Sequence, residues 1–463
     1  MFETKVYVER RNKLRKAFNT GLLLFVGNNE SPMNYPANAY RFRQDSTFLY
    51  YWGINYPNCV AVIDIDKNTE CLYINDVDIE DIIWMGPQES VKDKGARVGV
   101  NSVYPLKDLY TTISAAVRFG RKIHFLPQYR HDNTEILSTL LGIKSKHIKN
   151  YVSQKFIEAV IDMRSVKEDC EIEQIEHACN TGYKMHTEVM KMCKTGVMEH
   201  ELAGAIEGIA ISSNGYISFP VILSQNVHTL HNHDHSQKLT DGRMLITDAG
   251  AENEMNYCSD FTRTIPVNGK FTQKQKDIYN IVLAANSKAI ELAKPDVTYM
   301  SIHLEIAKII TQGLCDLGIM RGNVDEAVQN GAHALFFPHG LGHMMGLDVH
   351  DMENLGENSV GYNEEIVRSS QFGTSALRMG RRLQKGFVVT DEPGIYFIPE
   401  LIAKWKNEKI NESFINYDKV SQYIDVSGVR IEDDLLITEN GCRLLGKKRI
   451  PATVEDIEEM MKR

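Results

Sequence analysis

Between residues 20 and about 150, short apolar runs alternate with segments whose apolar positions recur at helical spacing. Residues 22–26 (LLLFV), 61–65 (AVIDI) and 71–74 (CLYI) have strand length, and residues 108–117 (DLYTTISAAV) fit an amphipathic helix. Strands interleaved with helices predict an α/β domain. The pattern changes near residue 165, where Ser165-Val166-Lys167-Glu168 has the form of a capping box and opens a long helix-compatible stretch down to Gly196. The predicted division is an N-terminal α/β domain over 1–160 and a second domain over 161–463.

The second domain carries a weak internal duplication with a period of about 100 residues. Residues 166–194 lead through Gly196-Val197 to a second helix over 199–213; residues 273–294 lead through Pro295-Asp296-Val297 to another over 301–317. Strand-like segments follow at 244–249, 261–267, 387–390, 395–397 and 429–438. Two helical hairpins with these strands predict an α+β domain built on a mostly antiparallel sheet.

Composition narrows the function classes. Hydrophobic residues make up 43% and charged residues 24%, as in an ordinary globular chain. The net charge is −9 and no basic run exceeds Lys447-Lys448-Arg449, so no nucleic-acid partner is expected. No apolar stretch approaches the roughly 18 residues that would cross a bilayer, and the first residues are charged, so no membrane partner and a cytoplasmic location are expected. The eight cysteines form no CxxC pair and are expected to be mostly buried thiols.

Candidate chemistry concentrates in the second domain. Of fifteen histidines, four fall within 228–235 and three within 339–350. The segment RMLITDAGAENEMNYCSDFTRTIPV reads as a β-hairpin turning near Asn253-Glu254, with Asp248 on one arm and Asp260 on the other. Pairing about that turn predicts the two carboxylates opposite or nearly so, where they repel unless a cation or a proton lies between them. Glu392 ends an apolar strand before a Pro-Gly turn, and Arg430 and Glu432 alternate onto one face of another strand. Their acidic neighbours Asp391, Asp433 and Asp434 are expected to be exposed or to serve as caps. The glycine-rich loop FFPHGLGHMMGLDVHD is not a dinucleotide fingerprint, and the chain has no P-loop, H-E-x-x-H or G-x-S-x-G motif.

Asp248, Asp260, His343, Glu392 and Glu432, with flanks PHGLGHMMGLDVHD, TDEPGIY and VRIEDD, resemble the five-ligand dinuclear site of the pita-bread metallopeptidases, in the proline-specific branch of aminopeptidase P and prolidase. The likeness spans residues 165–447, and YRFRQDSTFLYYWGI at 40–54 resembles the N-terminal domain of that branch. One departure is the interval of twelve between Asp248 and Asp260, where the family usually has eleven. The resemblance implies a pita-bread α+β catalytic domain and two divalent metal ions, with manganese expected from the oxygen-rich donor set. It implies that Asp248 chelates one ion, that Asp260 and Glu432 bridge both, and that His343 and Glu392 complete the shell. A hydroxide bridging the metals would be the nucleophile and Glu392 the general base. His231 and His350 would hydrogen-bond the scissile carbonyl and the oxyanion, His339 would lie at the pocket edge, and Arg430 would buttress the ligands.

The implied reaction is hydrolysis of the bond before proline, releasing the N-terminal residue from a peptide with proline at its second position. Prolidase, the Xaa-Pro dipeptidase, is the sibling alternative. A non-catalytic pita-bread scaffold and a metal-free creatinase-like hydrolase are alternatives of other classes, against which the filled ligand positions speak. Trp84 resembles a family tryptophan that reaches a neighbouring subunit, which implies a homo-oligomer, a dimer or tetramer; a core position is its alternative. Residues 401–420 are read as a solvated insertion, and His228, His233 and His235 as loop residues.

Overall fold

The computed structural model describes residues 1–462. Packing divides the chain into two units, one of Met1–Arg164 with Asn354–Ser359, the other of Ser165–Glu353 and the chain from Val360 onward.

The first unit holds a mixed sheet of β1 (Leu22–Val26), β2 (Val60–Asp64), β3 (Thr69–Tyr73), β4 (Val103–Tyr104) and β5 (Ile123–Phe125), in the order β4-β3-β2-β1-β5. β1 is apolar throughout because both its faces are covered. Leu22, Leu24 and Val26 join Leu109, Ile113, Leu137 and Leu140 of two helices on one side. Phe25, pointing the other way, meets Tyr51, Trp52 and Phe156 at 5.1–5.5 Å between ring centroids. Trp84 sits on the helix Ile79–Met85 and is 80% exposed, so it is not a core tryptophan.

The second unit repeats one helical hairpin. The helices Asp169–Met192 and Glu199–Ser212 correspond, 100 residues later, to Gln273–Leu292 and Tyr299–Asp316. The repeat extends to detail: the connections turn through Gly196 and Asp296 at positive φ, and Met198 and Thr298 each form an isolated bridge, to Lys238 and Arg382. The first helix begins at Asp169 rather than near Val166, because Glu168, not Ser165, is the N-cap and pairs with Glu171 in the capping box. Glutamate reaches the same N–H groups as serine through a longer side chain, which the serine-based pattern does not anticipate.

In place of one sheet, the described residues form four small ones, all antiparallel. β6 (Tyr216–Ile217) pairs with β9 (Ala251–Glu252); β7 (Ile222–Ser224), β8 (Met244–Asp248) and β10 (Thr262–Pro266) form the order β10-β8-β7. β11 (Val388–Asp391), β14 (Asp433–Ile437) and β15 (Cys442–Leu444) form a third sheet, and β12 (Gly394–Tyr396) pairs with β13 (Gly428–Arg430). Residues 401–420 are only partly solvated, since Ile402, Trp405, Ile415 and Val420 are buried.

A buried pair of histidines in this unit makes stability sensitive to acid. His303 and His333 are fully buried, their ring centroids 6.5 Å apart, and none of their four ring nitrogens has a protein partner. Burial pushes His303 down to about 3 and His333 down to about 4. Both rings are therefore neutral in the native state, while the unfolded chain takes up protons below about 6.5. Stability is complete above that value and falls as pH drops toward 4, by about 2 kcal/mol per ring at pH 5. Denaturant unfolding between pH 7 and 5 checks this: His303→Phe and His333→Phe should each flatten the acid limb, and an unchanged slope in both variants would refute it.

Candidate active site

The hairpin carrying the two aspartates turns through Glu254, Met255 and Asn256, with Asn256 left-handed at φ 68° and the Asn253 N–H donating to the Tyr257 carbonyl at 2.9 Å. Asp248 is therefore opposite Thr262, not Asp260. The same register persists through the Glu252–Cys258 bridge, which sets Asp260 across from Gly250, two positions along the ladder. Around a three-residue turn, positions of equal parity share a face, so the interval of twelve keeps both carboxylates on one side as diagonal neighbours. Gly250 is required here: a Cβ on it would lie 1.7 Å from the Ser259 carbonyl oxygen.

All the sequence-predicted site residues line one cavity of about 320 Å³: His231, Asp248, Asp260, His339, His343, His350, Glu392, Arg430 and Glu432. His343 lies in the glycine-rich loop, Glu392 directly follows β11, and Glu432 lies between β13 and β14, where its N–H donates to the Thr262 carbonyl at 3.0 Å. Gly342 lets the loop pass the strand, since a Cβ there would sit 2.2 Å from the Thr390 carbonyl oxygen.

The donor set has the form of a cation site. Suitable ligand atoms of Asp260, His343 and Glu432 lie within 4.8 Å of one another. His343 Nδ1 donates to the Met344 carbonyl at 2.9 Å, so its Nε2 lone pair faces Asp260 at 3.4 Å and Glu392 at 3.8 Å. A lone pair directed at carboxylates is repulsive unless a cation lies between them. Asp248 Oδ1 and Asp260 Oδ1 are buried without a protein hydrogen-bond partner, as metal-ligating oxygens would be. In the metal-free protein, burial and the neighbouring Asp248 and Asp434 push Asp260 well above the usual carboxylate range, and burial and Asp260 do the same to Glu432.

Side chains behind the ligands fix their directions. Thr262 Oγ1 donates to Glu432 at 2.6 Å and accepts from Arg430 Nε at 3.1 Å. Arg430 also pairs with Asp248 and donates to the Tyr396 hydroxyl at 2.7 Å. That hydroxyl donates to His339 Nε2 at 2.9 Å, because His339 Nδ1 is committed to the Gly340 carbonyl. Asp434 accepts the Asp260 N–H at 3.0 Å. Glu353 accepts from His350 Nδ1 at 3.1 Å and pairs with Arg378, another residue of the cavity wall, at 2.6 Å. Burial and the adjacent His343 push His350 down to about 4, so its ring is neutral and presents the Nε2 lone pair to the cavity.

Asp391, Asp433 and Asp434 are buried, not exposed. The helix Gln273–Leu292 covers the far side of β11 and β14: Asn286 donates to Asp391 at 3.1 Å, and Asp433 holds Arg263 at 2.6 Å and Arg449 at 2.8 Å. A strand covered on both faces buries consecutive residues, so alternation does not predict exposure there. Of the other histidines, His233 reaches the cavity wall, His228 bonds Ser427, and His235 Nδ1 is 3.0 Å from the Leu223 carbonyl. Arg378, Glu353, Thr262 and Tyr396 were not singled out by sequence, and Asp434 only as an exposed or capping acid; apart from Glu353 and His350, three residues apart, their partners are distant in the chain.

Two family models match the chain: metallopeptidase family M24 over residues 173–439, and the aminopeptidase P N-terminal domain over residues 7–124. A human Xaa-Pro dipeptidase is 32% identical over 97% of this chain and 91% of its own length. A probable Xaa-Pro aminopeptidase of Fusarium vanettenii is 32% identical over 91% of this chain and 87% of its own. The structure of Escherichia coli aminopeptidase P with the inhibitor Pro-Leu superposes with a TM-score of 0.81 at 28% identity, covering 99% of this chain and 98% of that one. The fold and family define a metallo-exopeptidase dependent on divalent metal ions. The chain belongs to metallopeptidase family M24, in the proline-specific pita-bread branch with an aminopeptidase P N-terminal domain. Among the described residues no helix is long and apolar enough to cross a membrane.

Proposed function

We propose that the chain is an Xaa-Pro aminopeptidase, hydrolysing the bond before a proline at the second position of a peptide and releasing the N-terminal residue. The observation that carries this is the cluster of Asp260, His343 and Glu432, with the unpartnered oxygens of Asp248 and Asp260, at one cavity. Asp248, Asp260, His343, Glu392 and Glu432 would hold two divalent ions, and four carboxylates balance their charge. Manganese suits this oxygen-rich set. When bound, the ions would lower the pKa of a coordinated water and polarise the scissile carbonyl.

The chain's own residues supply the remaining steps. Glu392, with 20% of its side chain exposed toward the cavity, takes the proton of the attacking water and passes it to the departing proline nitrogen. His231 borders the space for the carbonyl oxygen and donates to it. His350 keeps its Nδ1 proton on Glu353, so its Nε2 accepts a proton-bearing group of substrate or water rather than steadying an oxyanion. His339, bonded to Tyr396, shapes the pocket edge, and Arg430 orients Asp248 through their ion pair. The exposed apolar side chains of Ile79, Ile83, Trp84 and Met85 on one short helix support a homo-oligomer, and eight cysteines that form no disulfide support a reducing, cytoplasmic compartment.

The dipeptidase reading has one observation in its favour. Arg378 places a guanidinium on the cavity wall, where it would meet the free carboxylate of an Xaa-Pro dipeptide. Incubating the manganese-loaded protein with an Xaa-Pro dipeptide and an Xaa-Pro-Xaa tripeptide, with products identified by mass, decides between them. Tripeptide cleavage before proline supports the aminopeptidase, dipeptide cleavage alone the dipeptidase, and neither refutes both. Arg378→Met should lower kcat/KM for the dipeptide by about tenfold relative to the tripeptide, as loss of one charge-assisted pair would. An unchanged ratio would remove Arg378 from carboxylate recognition.

A further inference from the structure

Lys167 lies far from the cavity wall in sequence and is not part of it, yet its ammonium is buried, with 1% of the side chain exposed, as is that of its partner Asp351. The two meet at 2.8 Å across 184 residues of chain. Withdrawing both charges from water is costly, and apolar residues of similar volume would fill such a space at least as well. What the pair does for the fold therefore lies in what it holds in place.

Asp351 is the closing residue of the loop that begins at His343. Its Oδ2 takes the Lys167 ammonium and its Oδ1 accepts the Asp348 N–H at 3.2 Å. Its own N–H donates to the Met344 carbonyl at 2.8 Å. That carbonyl is the acceptor of the His343 Nδ1 proton, so the bond that fixes the tautomer of His343 ends on a group anchored by Asp351. His350, the preceding residue, lies with its ring centroid 3.9 Å from that of His343. Gly346 completes the device, because a Cβ there would come within 2.7 Å of Asp351 Oδ2 and 2.8 Å of Lys167 Cε. The Lys167 backbone N–H donates to the Gly386 carbonyl at 2.8 Å, just before the strand that leads to Glu392. One residue thus ties the histidine loop to the approach of the glutamate strand.

We propose that Lys167, acting through Asp351, is a positioning residue that sets the two imidazoles His343 and His350 for metal binding and turnover. The proposal rests on the assignment of His343 as a metal ligand. Displacing an outer group that orients a ligand typically costs about 10–100-fold in metal affinity or activity.

The test uses the full-length protein, Lys167→Met, and the double variant Lys167→Met/Asp351→Asn, with three readouts: manganese affinity by calorimetric titration of chelated protein, kcat and KM at saturating manganese, and melting temperature. In Lys167→Met, manganese affinity and kcat should each fall at least about tenfold, with KM changed much less. This variant removes the ammonium that faces a buried carboxylate and will melt early; the double variant removes that charge as well and should recover its melting temperature. In the double variant kcat and manganese affinity should stay low. Recovery of all three readouts together would show the pair to be only structural and overturn the proposal, as would parent-like affinity and kcat in Lys167→Met. Failure of the parent itself to cleave Xaa-Pro peptides would instead overturn the proposed substrate, and the manganese affinities would still decide the role of Lys167.

Discussion

Glu392→Gln is expected to reduce kcat on an Xaa-Pro-Xaa peptide by about a thousandfold or more, the upper range for loss of a general base. Glutamine preserves the shape of the side chain and an oxygen for the Thr390 hydroxyl, which lies 3.3 Å from Glu392 Oε1. It cannot shuttle a proton at neutral pH, and it contributes no charge to a ligand set whose other carboxylates already crowd one another. His343→Ala should be as damaging, since it removes the imidazole facing Asp260 and Glu392. His235→Ala is the contrast: its ring, in the loop before β8, bonds the Leu223 carbonyl of β7 and lies outside the cavity wall, so activity should stay within about twofold, the range of ordinary surface substitutions. Initial rates with excess manganese measure all three. Equal losses in His235→Ala and His343→Ala would invalidate the choice among the clustered histidines.

The carboxylates that gather at the cavity were legible because each interrupts an apolar pattern, while the histidines that join them, and the role of each ligand, were implied by the family resemblance. Asp248 closes a buried strand, Glu392 follows one, and Glu432 lies in the link between two others, and none is readily explained by strand burial alone. The hairpin was legible too, but its register was not. Whether Asp248 faces Asp260 or Thr262 depends on a three-residue turn at Met255 and on the left-handed Asn256, and a polar stretch such as AENEMN admits several turns. The error was two positions, which leaves the carboxylates on the same face and the chemistry intact.

Residues behind the ligands were hidden for a different reason. Asp433 reads as a surface acid, yet it holds Arg263 and Arg449 under the helix Gln273–Leu292. Burial alone would raise its pKa, but the two guanidiniums override that and hold it below the usual range. Asp434 reads the same way, yet it is buried and accepts the N–H of Asp260 from 174 residues away. Such roles depend on partners brought together by topology, which local periodicity does not encode. The duplication of the helical hairpins was visible at low resolution only. Its shared bridges at Met198 and Thr298 are backbone features that leave little trace in side-chain identity.

Exhaustive chelation is expected to abolish hydrolysis and to lower the melting temperature of the catalytic unit, with a pH dependence that the metal-loaded protein lacks. Ions present at about a thousand times their dissociation constant contribute about 4 kcal/mol, and at roughly 2–4 °C per kcal/mol the midpoint should fall by about 8–16 °C. The dependence on pH follows from the carboxylates left facing one another. Burial pushes Asp260, Glu432 and Glu392 above their ordinary values in the metal-free protein, with neighbouring carboxylates adding to the shift for Asp260 and Glu432. A carboxyl whose native pKa lies above its unfolded value binds more protons when folded. Its contribution is therefore complete below about pH 4, the unfolded range, and is lost as pH rises through the native value. Above pH 6.5, where His303 and His333 are neutral in both states, the slope comes from these carboxyls together with Asp434, which burial beside Asp260 pushes up to about 8. Chelated protein should consequently melt lower at pH 8.5 than at pH 6.5, and manganese should restore both the midpoint and a flat profile. Scanning calorimetry at the two pH values, with metal content verified, checks both. An unchanged melting temperature after confirmed metal loss would mean that the four carboxylates do not share one ion site. A midpoint equal at the two pH values would mean that Arg430, paired with Asp248, already neutralises the cluster without metal.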